Sequence, residues 1–183
     1  MFRSFVFIVF VLVVMVSIGV EANAQTADNE VKAGWIYALI PYIKWNDKSL
    51  NPNQITICTL GKDSVIPALT DLIPKEQAKD KKEGRKSKQV TVEPRGADNT
   101  MVGCHMLYIS AAEQSNYANI LKNSEGKTVL TISGIKNFAD RGGMIELAVK
   151  NDGINLRINL KPAAKSNIVI DSDLLAFADV LEK

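Results

Sequence analysis

Cys104-His105-Met106-Leu107-Tyr108-Ile109-Ser110 is the stretch on which the reading of the fold turns. From Cys104 to Ile109 it reads as a strand, with Met106 and Tyr108 pointing one way and Leu107 and Ile109 the other. A half-solvated strand alternates apolar with polar side chains. Apolar groups on both faces belong instead to a central strand covered on each side. Ser110 then supplies a hydroxyl suited to cap a following helix, Ala111 to Lys122.

Upstream, Ile55 to Leu60 is rich in β-branched and apolar residues and is closed by Gly61, which makes a second strand. Asp63 or Ser64 caps a short helix, with Pro67 tolerated in its first turn. A strand, a glycine and a helix invite comparison with a phosphate loop, but the position five before Gly61 is Thr56 rather than glycine. An ordinary strand-to-helix turn is the better reading. Lys75 to Lys88, with seven basic and three acidic residues, reads as a solvated surface segment. Gln89 to Glu93 alternates through Val90 and Val92 and suits a strand at a sheet edge.

Asp28 to Trp45 carries apolar residues at helical spacing, Val31, Trp35, Leu39 and Tyr42, with Ile36, Ile40 and Ile43 widening the stripe. Pro41 lies inside that pattern and predicts a kink or an end near Ile40. Downstream, Thr128 to Ile132 reads as a strand, followed by a short turn around Asn137 to Arg141. Met144 to Val149 and Ile154 to Leu160 flank Asn151-Asp152-Gly153, residues suited to positive φ, and form the clearest antiparallel hairpin. Ile154, Leu156, Ile158 and Leu160 take one face there, and Asn155, Arg157 and Asn159 the other. Ile168 to Ile170 suggests a small strand, and Ser172 caps a last helix carrying Leu174, Leu175, Phe177, Ala178 and Leu181. Strands alternating with helices predict a single layered α/β domain: a mixed sheet flanked by helices, with a C-terminal hairpin and helix.

The N-terminus reads differently. Arg3, the apolar run Phe5 to Val20 and the small residues of Ala22-Asn23-Ala24 match a secretory signal. The expectation is a cleavable signal over residues 1–24 and an exported, periplasmic domain over residues 25–183. The alternative is an uncleaved anchor, although the apolar run falls short of the roughly 20 residues that span a bilayer. A net charge of +2 carries no basic excess of the kind nucleic-acid binders use.

Cys58 and Cys104 are the two cysteines. In an oxidising compartment an even number favours a disulfide, the alternative being two separate buried thiols. His105 is the single histidine, so zinc lacks ligands and a Ser–His–Asp triad would rest on this residue alone. Its place in a core strand favours a structural role. Asp171 and Asp173 could hold a cation, but they flank Ser172 at a helix start, where acidic residues suit the helix dipole. No catalytic residues are expected, and neither a metal nor a cofactor. A binding protein is a better reading than a carboxylate hydrolase.

Three groups of residues together resemble the YfiR-like family of periplasmic repressors. Val31-Lys32-Ala33-Gly34-Trp35-Ile36-Tyr37 through Ile43-Lys44-Trp45 resembles its opening helix, a VKAAxxYxFxxFxxW pattern. Ile57-Cys58-Thr59-Leu60-Gly61 and Cys104 to Ser110 resemble its cysteine-bearing strands. Gly142-Gly143-Met144-Ile145, Leu156-Arg157-Ile158-Asn159 and Ile170 to Leu175 resemble its C-terminal signature. The resemblance implies an α/β domain, often a homodimer, bridged between Cys58 and Cys104. It also implies repression of an inner-membrane diguanylate cyclase through the cyclase's periplasmic sensor region. Release of that hold raises cyclic di-GMP and promotes biofilm formation, and the membrane is met only through the partner. Two departures stand out: a second cysteine pair is missing, and Pro41 with Ala38-Leu39-Ile40 replaces a usually more polar stretch. Trp35, Ile36, Tyr37 and Ile40 of the first helix and Arg157 of the hairpin are the expected partner contacts, being of the apolar, aromatic and arginine types. The alternative function is a periplasmic small-ligand-binding module without catalytic activity, using an aromatic pocket around Trp35 or Trp45.

Overall fold

The computed structural model describes residues 27–48, 50–96, 101–150 and 153–181. The expected signal at residues 1–24 lies outside the described residues, as do Asn151 and Asp152 of the hairpin turn. The first helix, α1, covers residues 27–38. Pro41 cannot donate to a continuing helix, and the chain tightens into a 3-10 turn at Ile40–Tyr42. Of the kink or end expected near Ile40 the chain takes the end, and the helical pattern does not run on to Trp45: Ile43–Trp45 is a strand, β1. The buried line is Asn29, Ala33 and Ile36 of α1 with Leu39 just after it; the expected stripe shares Ile36 and Leu39 with that line, while its Val31 and Tyr42 are exposed.

Strand β2, Gln54–Leu60, is followed by α2, Val65–Lys82. Asp63 caps that helix, its Oδ1 accepting from the Val65 amide at 3.1 Å. The helix is much longer than expected. Its second half takes in Lys75 to Lys82 of the basic run, whose Lys and Glu residues are good helix formers, while Val65, Leu69 and Ile73 of its first half are buried. Strand β3, Gln89–Pro94, and β4, Met106–Ile109, come next. Ser110 caps only a 3-10 turn, Ala111–Glu113, and the expected helix resumes as α3, Tyr117–Ser124. Then come β5, Leu130–Ser133, β6, Ile145–Lys150, and β7, Gly153–Asn159. The short α4, Leu160–Lys165, leads to β8, Ile168–Ile170.

The C-terminal helix is also corrected. Asp171, not Ser172, is the cap, accepting from the Asp173 amide at 3.1 Å, and α5 spans only Ser172–Leu175. The chain then re-enters the sheet as β9, Asp179–Leu181. The apolar spacing that suggested a longer helix is shared between the two elements, and Phe177 between them is 79% exposed.

Seven strands form the main sheet in the order β3-β2-β4-β5-β6-β7-β9, and β1 and β8 pair separately. Neighbours from β3 to β6 run parallel, β7 is antiparallel to β6, and β9 is parallel to β7. The first strand of the parallel block, β2, sits between β3 and β4, so the chain winds outward in both directions from that point. All four residues of β4 are buried. Met106 and Tyr108 enter a core with Ile36 of α1, Leu39 just beyond it and Leu69 of α2. Leu107 and Ile109 enter the opposite core with Cys58, Ile120 of α3 and Phe138. Residues alternating in direction along one strand therefore feed two separate layers.

Candidate functional site

In doubly wound sheets, ligands usually enter a crevice at the carboxyl ends of the strands, where the winding reverses. Here that place, at the ends of β2 and β4, is filled by the chain. Gly61 adopts φ +78°, and a Cβ built on it would meet Ser110 Oγ at 2.3 Å and Glu113 Cγ at 2.9 Å. Beside them Tyr108 donates its hydroxyl to Asp63 Oδ2 at 2.8 Å.

Cys104 and His105 lie at the amino end of β4, and Cys58 lies within β2 beside it. Cys58 and Cys104 are bonded, with Cα atoms 5.7 Å apart, and both are buried. The bridge joins β2 to the residues leading into β4, and Arg95 Nε donates to Cys58 Sγ at 3.2 Å. His105 follows directly. Its amide donates to Thr56 O at 2.9 Å, and its Nδ1 accepts from the Thr56 amide at 3.1 Å. A ring nitrogen used as an acceptor puts the neutral imidazole's proton on Nε2. Burial, aided by the Lys88 charge, pushes the pKa of His105 below its ordinary value. Trp45 donates Nε1–H to His105 O at 2.7 Å and stands edge-on to the ring. These groups tie β1 to β4. Among the described residues, no group of three or more histidines, cysteines or carboxylates could hold a metal ion.

Arg157 lies on β7, directly opposite Glu146 of β6. Its Nη1 donates to Asp140 Oδ2 at 2.6 Å and to Glu146 Oε2 at 3.2 Å, and its Nε to Asp179 Oδ2 at 3.2 Å. Three carboxylates hold its pKa above the ordinary arginine value, the Asp140 hydrogen bond contributing most. Glu146 is buried and also accepts from the amides of Asn137 and Ala139. This cluster pins the turn before β6, the hairpin and β9 to one another.

An open concavity lies elsewhere. A groove of about 670 Å³ runs between the end of α1, β1, α2 and the start of β3. Tyr37, Ile40 and Pro41 form one wall, and Ile43 with Val90 supplies apolar surface from the two strands. Tyr37 donates its hydroxyl to Asp80 Oδ2 at 3.3 Å, and Arg85 holds Asp80 from the other side at 2.6 Å. Burial, and then the Asp80 charge, push the Tyr37 pKa up to about 12. The Arg85 hydrogen bond lowers that of Asp80. The lining is basic on balance: Lys44, Arg85, Lys86 and Lys88 stand around the groove with Glu76 and Asp80. Lys88 also places its ammonium 5.7 Å from the Trp45 ring centroid.

Of the expected contact residues, the groove brings Tyr37 and Ile40 together. Ile36 has no exposed surface, and Trp35 is half-buried against the same core. Arg157 belongs to the carboxylate cluster. The sequence reading did not single out Lys44, Lys86, Lys88 or Val90. For Lys86, Lys88 and Val90 the signal is a basic run ending directly before an alternating edge strand.

The fold and this arrangement define a class: an α/β domain with a filled strand-end crevice, a buried bridge and an open basic-rimmed groove. The chain belongs to the YfiR/HmsC-like family, whose model matches residues 29–179. That family comprises periplasmic, non-catalytic regulators of diguanylate cyclases that act through protein interaction. No curated protein matches the sequence. Among solved structures, a conserved domain protein from Vibrio cholerae O1 biovar El Tor superposes with a TM-score of 0.53 at 13% identity, over 83% of this chain and 59% of that one. An ABC domain in complex with L-Trp from Streptococcus pneumonia gives 0.47 at 14% identity, over 73% of this chain and 57% of that one. The chain thus spans less than two thirds of either, and the first likeness concerns the fold alone. No helix among the described residues is long and apolar enough to cross a membrane.

Proposed function

We propose that this protein is exported by a signal in residues 1–24 and works in the periplasm as a repressor. Its target is the periplasmic sensor region of an inner-membrane diguanylate cyclase. Binding holds the cyclase inactive, which lowers cyclic di-GMP and biofilm formation. The observation that carries this reading is the family match over residues 29–179. The groove beside Tyr37 and Ile40 supports it, because it offers apolar surface next to a charged rim, the composition of a partner site. Tyr37 and Ile40 contact the partner; Ile36 sets the angle of α1 by packing, and Trp35 backs it. Arg157 serves the partner by holding the hairpin and β9 in place.

The test is to delete the gene, measure cyclic di-GMP, and capture membrane proteins on the tagged chain. The reading expects a rise in the nucleotide and co-purification of a cyclase. An unchanged nucleotide level with no membrane partner captured would falsify it. A second reading, small-ligand binding without catalysis, draws on a pocket of about 240 Å³ lined in part by Trp45, Lys88 and His105. Tryptophan fluorescence that stays constant across periplasmic extracts removes it.

A further inference from the structure

We propose that the groove takes an extended, acidic segment of the protein partner, which adds as a strand to the free edge of β3. This rests on the reading of the chain as a partner-binding regulator and names the chemistry of the segment bound. The main-chain bonding of β3 comes first. Gln89 donates its amide to Asn53 O at 3.0 Å and Arg95 to Thr59 O at 2.9 Å, so the odd-numbered residues turn their peptide groups toward β2. Peptide groups alternate in direction along a strand. Val90 and Val92 therefore turn theirs to the opposite side, where β3 has no strand neighbour among the described residues.

The second wall repeats the pattern. In β1, Tyr42 O accepts from the Asp171 amide at 2.9 Å and Asn46 donates to Asn167 O at 3.1 Å, so even-numbered residues serve β8. Ile43 and Trp45 turn their carbonyls the other way. Ile43 and Lys44 of β1 line the same groove as Lys88 and Val90. Two open strand edges thus border one concavity. An unpaired edge is a template for another chain unless it is blocked. The only block within β3 is Pro94 at its far end.

Charge fixes the chemistry of the occupant. Asp80 and Glu83 already neutralise Arg85, and Asp171 lies 3.7 Å from Lys44. Lys86 has no ion-pair partner among the described residues and stands on the rim beside Lys88. The floor between Ile40, Pro41 and Ile43 is apolar. A segment alternating acidic with β-branched residues would set its carboxylates against the lysines and its apolar side chains on the floor. Main-chain bonds then give affinity, and alternate side chains give specificity.

The test uses fluorescence anisotropy of the purified protein with a labelled acetyl-(Glu-Val)3-amide peptide. Its comparisons are the (Lys-Val)3 peptide and an acidic peptide N-methylated at alternate amides, which keeps the side chains but loses strand donors. The acidic peptide should bind at least about tenfold more tightly than either, because both charge match and edge bonding are required. Two variants separate the contributions. Val92→Pro removes an edge donor while leaving the β2 ladder intact, and Lys86→Glu reverses an exposed rim charge. Each should weaken binding about tenfold with an unchanged circular dichroism spectrum. Equal binding of all three peptides overturns the proposal, as does retention on phosphatidylglycerol vesicles without peptide binding. Full repression of the cyclase by Val92→Pro also overturns it and leaves the broader reading standing. Peptide binding by a protein that neither captures nor represses a cyclase upholds the groove and removes the broader reading.

Discussion

Glu146 and Arg157 face each other across the β6–β7 hairpin, with Arg157 Nη1 donating to Glu146 Oε2 at 3.2 Å. Glu146 is 3% exposed, so its charge is tolerable only because Arg157 and two backbone amides meet it. Replacing Arg157 with alanine leaves that carboxylate short of its cation. Arg157→Ala should cost about 3 kcal/mol in urea unfolding. Arg157→Lys should cost less, since the charge remains but the fork that also reaches Asp140 and Asp179 is lost. If repression falls in Arg157→Ala and recovers in Arg157→Lys, the arginine acts through the hairpin it holds.

The Cys58–Cys104 bridge closes a loop of 46 residues in sequence separation. On the chain-entropy account such a loop contributes about 4 kcal/mol. The double variant Cys58→Ala, Cys104→Ala should unfold at correspondingly lower urea, with the larger effect on the layer containing Leu107 and Phe138. Both cysteines are buried, so reductant reaches the bridge only when the fold opens. Thiol release under native conditions should therefore track the unfolding rate, and release within seconds in native buffer would contradict this placement.

His105 makes stability depend on pH in a definite direction. Its folded pKa lies below its ordinary value because burial disfavours the imidazolium. Between the folded pKa and the unfolded value of about 6.5, the unfolded chain binds more protons than the native one. Stability is thus fully present above about pH 6.5 and is lost as pH falls toward the folded pKa. Urea midpoints measured from pH 7.5 to 5 should show this decline. His105→Gln should flatten the part of the slope that this residue contributes, at the cost of a lower midpoint at pH 7.5.

The sequence made the centre of the fold legible and its margins illegible, for one physical reason. In β4 each side chain declares its own face, because both faces are buried, and the structure sends Met106 and Tyr108 to one core and Leu107 and Ile109 to the other. The β6–β7 hairpin is local, and its alternation needs no distant partner. In contrast, β1 and β9 are strands of three residues that exist only because β8 and β7 lie beside them. Their apolar spacing, read locally, fits a helix equally well. The groove was half visible for the same reason. Tyr37 and Ile40 stand out on α1, but Lys86, Lys88 and Val90 reach them only once β3 is docked against β2. Arg157 was conspicuous as a lone arginine on a polar strand face. Its partner Glu146 was hidden, because alternation alone does not say which hairpin face the following chain will cover.

The filled crevice at the ends of β2 and β4 is testable through glycine. Gly61 and Gly126 have nearly the same backbone angle, φ +78° and +74°, so alanine at either meets the same left-handed strain. That strain costs about 1–2 kcal/mol. At Gly126 nothing lies within 4 Å of an added Cβ, whereas at Gly61 it would run into Ser110 Oγ at 2.3 Å. Overpacking of that kind adds about 1–3 kcal/mol. Gly61→Ala should therefore lower stability by clearly more than Gly126→Ala in parallel urea titrations, and Gly61→Ala with Ser110→Ala should recover part of the difference. Ser110 also accepts from the Ala112 amide, so recovery will be incomplete. Equal costs at the two glycines would mean that the crevice has room to spare, and a ligand there would then have to be considered afresh.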